Sequence, residues 1–185
     1  CSVYCIDSLR KENIEPTVYW YNPNIHPYME YKARRDCLKE YTKSIEINAI
    51  FEEDYGLDEF CKNVSNALNT RCVNYCYPVR LRKTFEYAKQ NGFDSVSTTL
   101  LYSIYQKHDF IKKLMEDLSK EFGINFLYID AATKAGTIAD KMSLATFKQH
   151  VITAFKIGAM SSLVFLGVLF STPKKELISS TISLW

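Results

Sequence analysis

The stretch Pro16-Thr17-Val18-Tyr19-Trp20-Tyr21, followed at once by Asn22-Pro23-Asn24, is the one on which the architecture turns. Its first six residues are mostly β-branched and aromatic, the side chains that suit a pleated, largely buried surface. Asn-Pro-Asn is turn chemistry and ends the strand. Pro27 then suits the first turn of a helix reaching about residue 42, because its missing N–H would have no partner there in any case.

The same alternation continues on both sides. Residues 3 to 12 read as a helix, with Val3, Ile6 and Leu9 on one face. A short strand over 47–51 precedes a helix over 57–68, in which Leu57, Phe60, Val64 and Leu68 fall at helical spacing. A helix over 77–91 ends at Gly92, a strand covers 93–98, and a strongly amphipathic helix over 105–122 carries Ile111, Leu114, Met115 and Leu118 and is closed by Gly123. A last strand covers 124–129. Strands alternating with helices predict βαβ units, hence an α/β fold with a parallel sheet and helices on both faces. In such sheets ligands gather at the carboxyl ends of the strands. Three loops therefore take priority, those beginning at Tyr21-Asn22, at Ser97-Thr98-Thr99 and at Asp130.

The pattern changes after Asp130. Residues 131–143 mix Ala, Thr, Lys and Gly, and 157–170 are uncharged and apolar. That run is shorter than the roughly 20 residues a helix needs to span a bilayer, so a buried helix or strand is expected and no membrane contact. Residues 1–130 accordingly form an α/β domain and 131–185 a divergent C-terminal segment.

A chain of 185 residues, 47% hydrophobic and 24% charged, has the composition of one globular domain with at most an appendage. A net charge of +2 is too small for general nucleic-acid binding, and any RNA contact must come from a local patch. Tyrosine occurs 13 times. Such rings either pack at helix–sheet boundaries or stack on bases.

There are six cysteines, Cys1, Cys5, Cys37, Cys61, Cys72 and Cys76. No secretory signal is visible, and the regular strand–helix alternation points to a reduced cytosolic setting in which some thiols are ligands and others small hydrophobes. The chain opens on Cys1, which leads us to expect that residues have been lost upstream. In Arg71-Cys72-Val73-Asn74-Tyr75-Cys76-Tyr77-Pro78-Val79-Arg80, two thiols at i and i+4 share one helix face and could reach one metal or cluster. The other reading is a pair of buried cysteines without a ligand, since one pair is not a complete tetrahedral site. Arg71 and Arg80 suit an anion or are plain surface charges. Ser97-Thr98-Thr99 places hydroxyls where they can bind phosphate or cap the next helix. There is no Walker loop and no GxGxxG.

Taken together, Cys1-Ser2-Val3-Tyr4, Tyr19-Trp20-Tyr21-Asn22-Pro23-Asn24-Ile25, Glu30-Tyr31, Arg71-Cys72 with Cys76-Tyr77 and Arg80-Leu81, Lys83-Thr84, Ser97-Thr98-Thr99-Leu100 and Tyr105-Gln106-Lys107-His108 resemble the epoxyqueuosine reductases of the QueH type. The resemblance runs from Cys1 to about Asp130. It implies a three-layer Rossmann-like parallel sheet with its first strand missing here. It also implies a cytoplasmic enzyme that reduces epoxyqueuosine to queuosine at the wobble position of a tRNA anticodon, using a 4Fe-4S cluster, with room for a second iron, and an external electron donor.

Residue by residue, the resemblance makes Cys72 and Cys76 cluster ligands, although the family spacing is one residue shorter. Cys1 corresponds to the last cysteine of the family's Cys-Cys-x-Pro-Cys-Ser motif and becomes the catalytic thiol beside the cluster. Arg71, Tyr77, Arg80, Tyr21, Asn22, Thr98 and Thr99 become substrate-binding. Cys5, Cys37 and Cys61 match no family position and read as packing residues. Phe147-Lys148-Gln149 resembles the lead-in to a family Cys-x-Cys motif, whose cysteines would fall at Ile152 and Ala154. A catalytically inactive relative that only binds tRNA or a partner is the alternative. A nucleotide-binding α/β module is a weaker one, because no phosphate loop is present.

Overall fold

The computed structural model describes residues 2–102, 105–129 and 169–173. Cys1, the Asp130 loop and residues 131–168 lie outside the described residues. The order is α1 (Ser2–Lys11), β1 (Thr17–Trp20), α2 (Tyr28–Ser44), β2 (Ala49–Phe51), α3 (Leu57–Val64), α4 (Tyr77–Gln90), β3 (Phe93–Thr98), α5 (His108–Phe122), β4 (Asn125–Phe126) and β5 (Leu169–Pro173).

The strands give two parallel pairs. Val18, Tyr19 and Trp20 of β1 face Ala49, Ile50 and Phe51 of β2, and Ser95 and Val96 of β3 face Asn125 and Phe126 of β4. β5 lies between the pairs and runs antiparallel to both β1 and β3, giving the order β2-β1-β5-β3-β4. This corrects the expected all-parallel sheet: the described residues form a mixed α/β arrangement around two short parallel pairs. Because β1 and β3 are each antiparallel to β5, they point the same way. The carboxyl ends of β1 to β4 therefore share one edge.

Alternation along β1 separates two hydrophobic clusters. Val18 and Trp20 pack with Cys5, Ile6 and Leu9 of α1 and Tyr31 and Leu38 of α2. Tyr19 packs with Leu81 and Phe85 of α4, Val96 of β3 and Ile111, Met115 and Leu118 of α5. Period-2 side chains on the strand meet period-3.6 faces on the helices, each fully buried large side chain contributing about 1.5–3 kcal/mol. A smaller third cluster joins Phe60 and Val64 of α3 to Tyr75 and Cys76.

Glycine sets two ends. Gly123, at φ +67°, closes α5 through its N–H to the Ser119 carbonyl at 2.9 Å. Gly92, at φ +72°, follows α4 in the same left-handed conformation.

Several boundaries differ from the sequence expectation. α3 stops at Val64, and Leu68 starts a separate 3-10 turn and is 59% exposed rather than buried. α5 begins at His108, not at residue 105. β4 is only Asn125–Phe126, the length over which it can pair with β3. Cys5 is buried as expected, but Cys61 is exposed on α3 and is no packing residue. Of the apolar run 157–170, only its last two residues are described, at the start of β5. No helix among the described residues is long and apolar enough to cross a membrane.

Candidate functional site

The two cysteines sit on one turn of π-helix, Cys72–Cys76, that leads straight into α4. Its closing bond runs from the Tyr77 N–H to the Cys72 carbonyl. Local chemistry favours the wider turn. Pro78 lies in the first turn of α4 and has no N–H, so an ordinary helical bond back to Asn74 cannot form. The extra residue keeps both sulfurs on the same side. Cys72 is half-buried and Cys76 buried.

The thiols interact. Burial pushes Cys76 up to about 11; its neighbour Cys72 adds to the shift, while Arg80 and Arg71 oppose it. A thiol in this position stays protonated until a metal or a strong local cation replaces the proton.

Arg80 lies one helical step below Cys76 and is only 4% exposed. Its Nε and Nη2 have no hydrogen-bond partner among the described residues. Burial lowers its pKa to about 10, against the ionisable groups Cys76, Tyr77 and Cys72 that hold it up. The sequence left open that Arg80 is a surface charge, and the structure removes that option. Arg71, by contrast, is exposed.

Tyr77 is buried and donates its hydroxyl hydrogen to Gln106 Oε1 at 2.5 Å, which ties α4 to the segment before α5. Tyr21 and Cys72 both pack on the cluster that holds Tyr77. Asn22 is buried directly after β1. Thr98 and Thr99 are buried at the carboxyl end of β3, on the same edge as Tyr21 and Asn22. Thr98 Oγ1 accepts the Leu100 N–H at 3.3 Å, a capping role that occupies part of its bonding capacity. The structure thus joins Cys72, Cys76, Tyr77, Arg80 and Tyr21, while Thr98 and Thr99 share only the sheet edge with them.

One participant was not foreseen. Tyr75 is buried inside the cysteine turn, its hydroxyl has no partner among the described residues, and burial followed by Tyr21 and Glu59 pushes it up to about 12. Its place between two cysteines was the available signal. Ser97 Oγ is likewise buried and without a partner among the described residues. No group of three or more His, Cys, Asp or Glu side chains that could hold a metal occurs among the described residues. Among the described residues the donor set is therefore two thiols beside a buried guanidinium whose Nε and Nη2 have no partner there. It fits part of the shell of an anionic, thiolate-bound group better than a bare cation, which Arg80 would repel.

A family model described as epoxyqueuosine reductase QueH matches residues 1–150. Curated proteins named epoxyqueuosine reductase QueH are similar to this chain. That of Dehalococcoides mccartyi is 35% identical over 130 residues, covering 70% of this chain and 71% of the relative. That of Thermotoga maritima is 27% identical over 118 residues, covering 60% of each. That of Haemophilus influenzae is 30% identical over 105 residues, covering 54% of this chain and 42% of the relative. The matched part is thus less than two thirds of the length of the latter two.

Proposed function

The chain belongs to the QueH family of epoxyqueuosine reductases, and on that premise we propose that it serves the reduction of epoxyqueuosine to queuosine at the wobble position of a tRNA anticodon. Removing an epoxide oxygen as water takes two electrons and two protons, so an external electron donor is required. A 4Fe-4S cluster bound at the cysteine turn would supply the electron transfer.

The chain's own contribution starts with Cys72 and Cys76, which hold the cluster as thiolates. Cys1 is the thiol assigned beside it, and a second iron is allowed. Arg71 is the exposed cation through which the tRNA backbone is met. Tyr77 shapes the pocket wall, fixed by Gln106, and Tyr21 and Asn22 extend that wall from the end of β1. Thr98 and Thr99 supply hydroxyls from the end of β3. The two parallel strand pairs, with clusters on opposite sides of β1, support a Rossmann-like layer arrangement for residues 1–130. The reading places the protein in the cytoplasm, where tRNA is modified.

One observation carries this reading: two thiols on a single turn above a buried arginine whose Nε and Nη2 have no partner among the described residues. Anaerobic reconstitution of the full chain with iron and sulfide tests it. A cluster absorption band that is lost in both Cys72→Ser and Cys76→Ser is the expected result. A band unaffected by either substitution, or no band at all, refutes the ligand assignment. Binding of tRNA without a band would favour the inactive relative.

A further inference from the structure

Cys72, Cys76, Arg80 and Thr84 follow one another at intervals of four residues along the π turn and α4. Side chains on a helix lean toward its N-terminus, so a residue covers the turn before its own Cα. Arg80 therefore reaches back under Cys76. Thr84 Oγ1, which donates to the Arg80 carbonyl at 3.0 Å, braces the stripe from below. Among the described residues, the groups that act electrostatically on the guanidinium are Cys76, Tyr77 and Cys72, and none of these is a carboxylate.

A buried cation with unmet donors is costly, and folds retain one where something neutralises it. A nucleic-acid phosphate arrives from solvent, and a side chain that is 4% exposed offers it no approach. Among the described residues, the groups placed to carry that neutralising charge are those of the same turn, Cys76 and Cys72. Resting on the cluster reading above, we infer that Arg80 is the fixed counter-cation of the Cys72–Cys76 centre, donating from Nε and Nη2 to its thiolate or sulfide sulfur. It positions and electrostatically tunes the centre without taking part in bond making. A positive charge at that place favours the reduced state, which carries one more electron, and so raises the reduction potential.

The test is redox titration of the iron- and sulfide-reconstituted full chain, compared with Arg80→Met, Arg80→Gln and Arg80→Lys. Loss of the charge in Arg80→Met and Arg80→Gln is expected to weaken one-electron reduction about tenfold, about 59 mV for a one-electron couple. Arg80→Lys keeps the charge and is expected to stay within about threefold of the parent, judged against that same scale. If Arg80→Met misfolds, Arg80→Gln carries the comparison. Failure of both neutral variants to retain a cluster that the parent and Arg80→Lys hold also supports the inference. An unchanged potential in a loaded neutral variant overturns it, and a drop in tRNA affinity with unchanged potential assigns the guanidinium to phosphate instead. A parent chain that takes up no cluster removes the underlying reading and this inference together, whereas a loaded parent with an indifferent Arg80 removes the inference alone.

Discussion

Gly56 and Pro23 touch so closely that a Cβ on Gly56 would stand 2.7 Å from the Pro23 Cβ. Gly56 is also left-handed, at φ +67°, where it begins α3 with its N–H bonded to Asp54 Oδ1 at 2.8 Å. Two costs then coincide in Gly56→Ala: an unfavourable backbone region and a collision with a rigid ring. The variant should lose about 1–3 kcal/mol, read as a lower urea midpoint at unchanged slope. Because Pro23 follows Tyr21 and Asn22, the same variant should disturb the end of β1. An unaltered midpoint would mean that the loop yields freely.

The cysteine turn makes stability fall in alkali. Cys76 ionises near the ordinary thiol value of 9.0 when unfolded but only at about 11 when folded, chiefly through burial. The unfolded state therefore releases its proton first as pH rises. Stability contributed by the neutral thiol is complete below pH 9 and is gone by about pH 11. Cys5, raised to about 12 by burial, acts in the same direction. Tyrosines join only above their own ordinary value of 10.0, so the thiols dominate the first unit of the decline. Urea midpoints should drop between pH 8.5 and 9.5, approximate settings that bracket the onset of thiol ionisation, and Cys76→Ser should flatten that drop.

Arg82 and Glu121 form a forked pair between α4 and α5, with bonds of 2.6 and 2.8 Å, yet their side chains are 47% and 50% exposed. Exposed pairs are worth about 0–1 kcal/mol, so Arg82→Ala should hardly move thermal unfolding, and added salt should erase the difference. Met115, fully buried on the inner face of α5, should behave oppositely: Met115→Ala should cost about 2–5 kcal/mol. Equal losses from the two changes would contradict the argument that the α4–α5 contact is held by its apolar side.

Tyr77→Phe keeps the buried ring and removes only the bond to Gln106. The expected loss is about 0.5–1.5 kcal/mol. Gln106 and His108 should gain mobility, visible as faster amide hydrogen exchange at the start of α5. Exchange rates equal to the parent's would show that the hydroxyl does not hold that segment.

Much of this was legible in advance for identifiable reasons. Gly92 and Gly123 mark helix ends because only glycine tolerates the left-handed turn at low cost, and both helices end there. The apolar faces of α1 and α5 announced themselves by spacing. The sequence could not reveal that Arg80 is buried, because burial of a cation depends on what packs across from it. Nor did spacing alone distinguish an α turn from the π turn at Cys72–Cys76, although Pro78 two residues later was a usable cue. Leu68 misled because helical spacing persists past the point where tertiary contacts stop rewarding it. β5 comes from a part of the chain whose composition carries little pattern, and its antiparallel course is a long-range pairing that no local signal encodes.

The small cluster of Phe60, Val64, Tyr75 and Cys76 stands apart from the two larger ones. It makes α3 a cover over the cysteine turn whose fit is settled by four side chains rather than by the main core. Local opening of such a unit requires far less free energy than global unfolding. Separate opening of α3 would uncover Cys76 while β1, α4 and α5 stay folded, whereas Cys72 packs on the larger cluster. The accessibility of the centre and the durability of the fold are separate properties of the molecule, open to change one at a time.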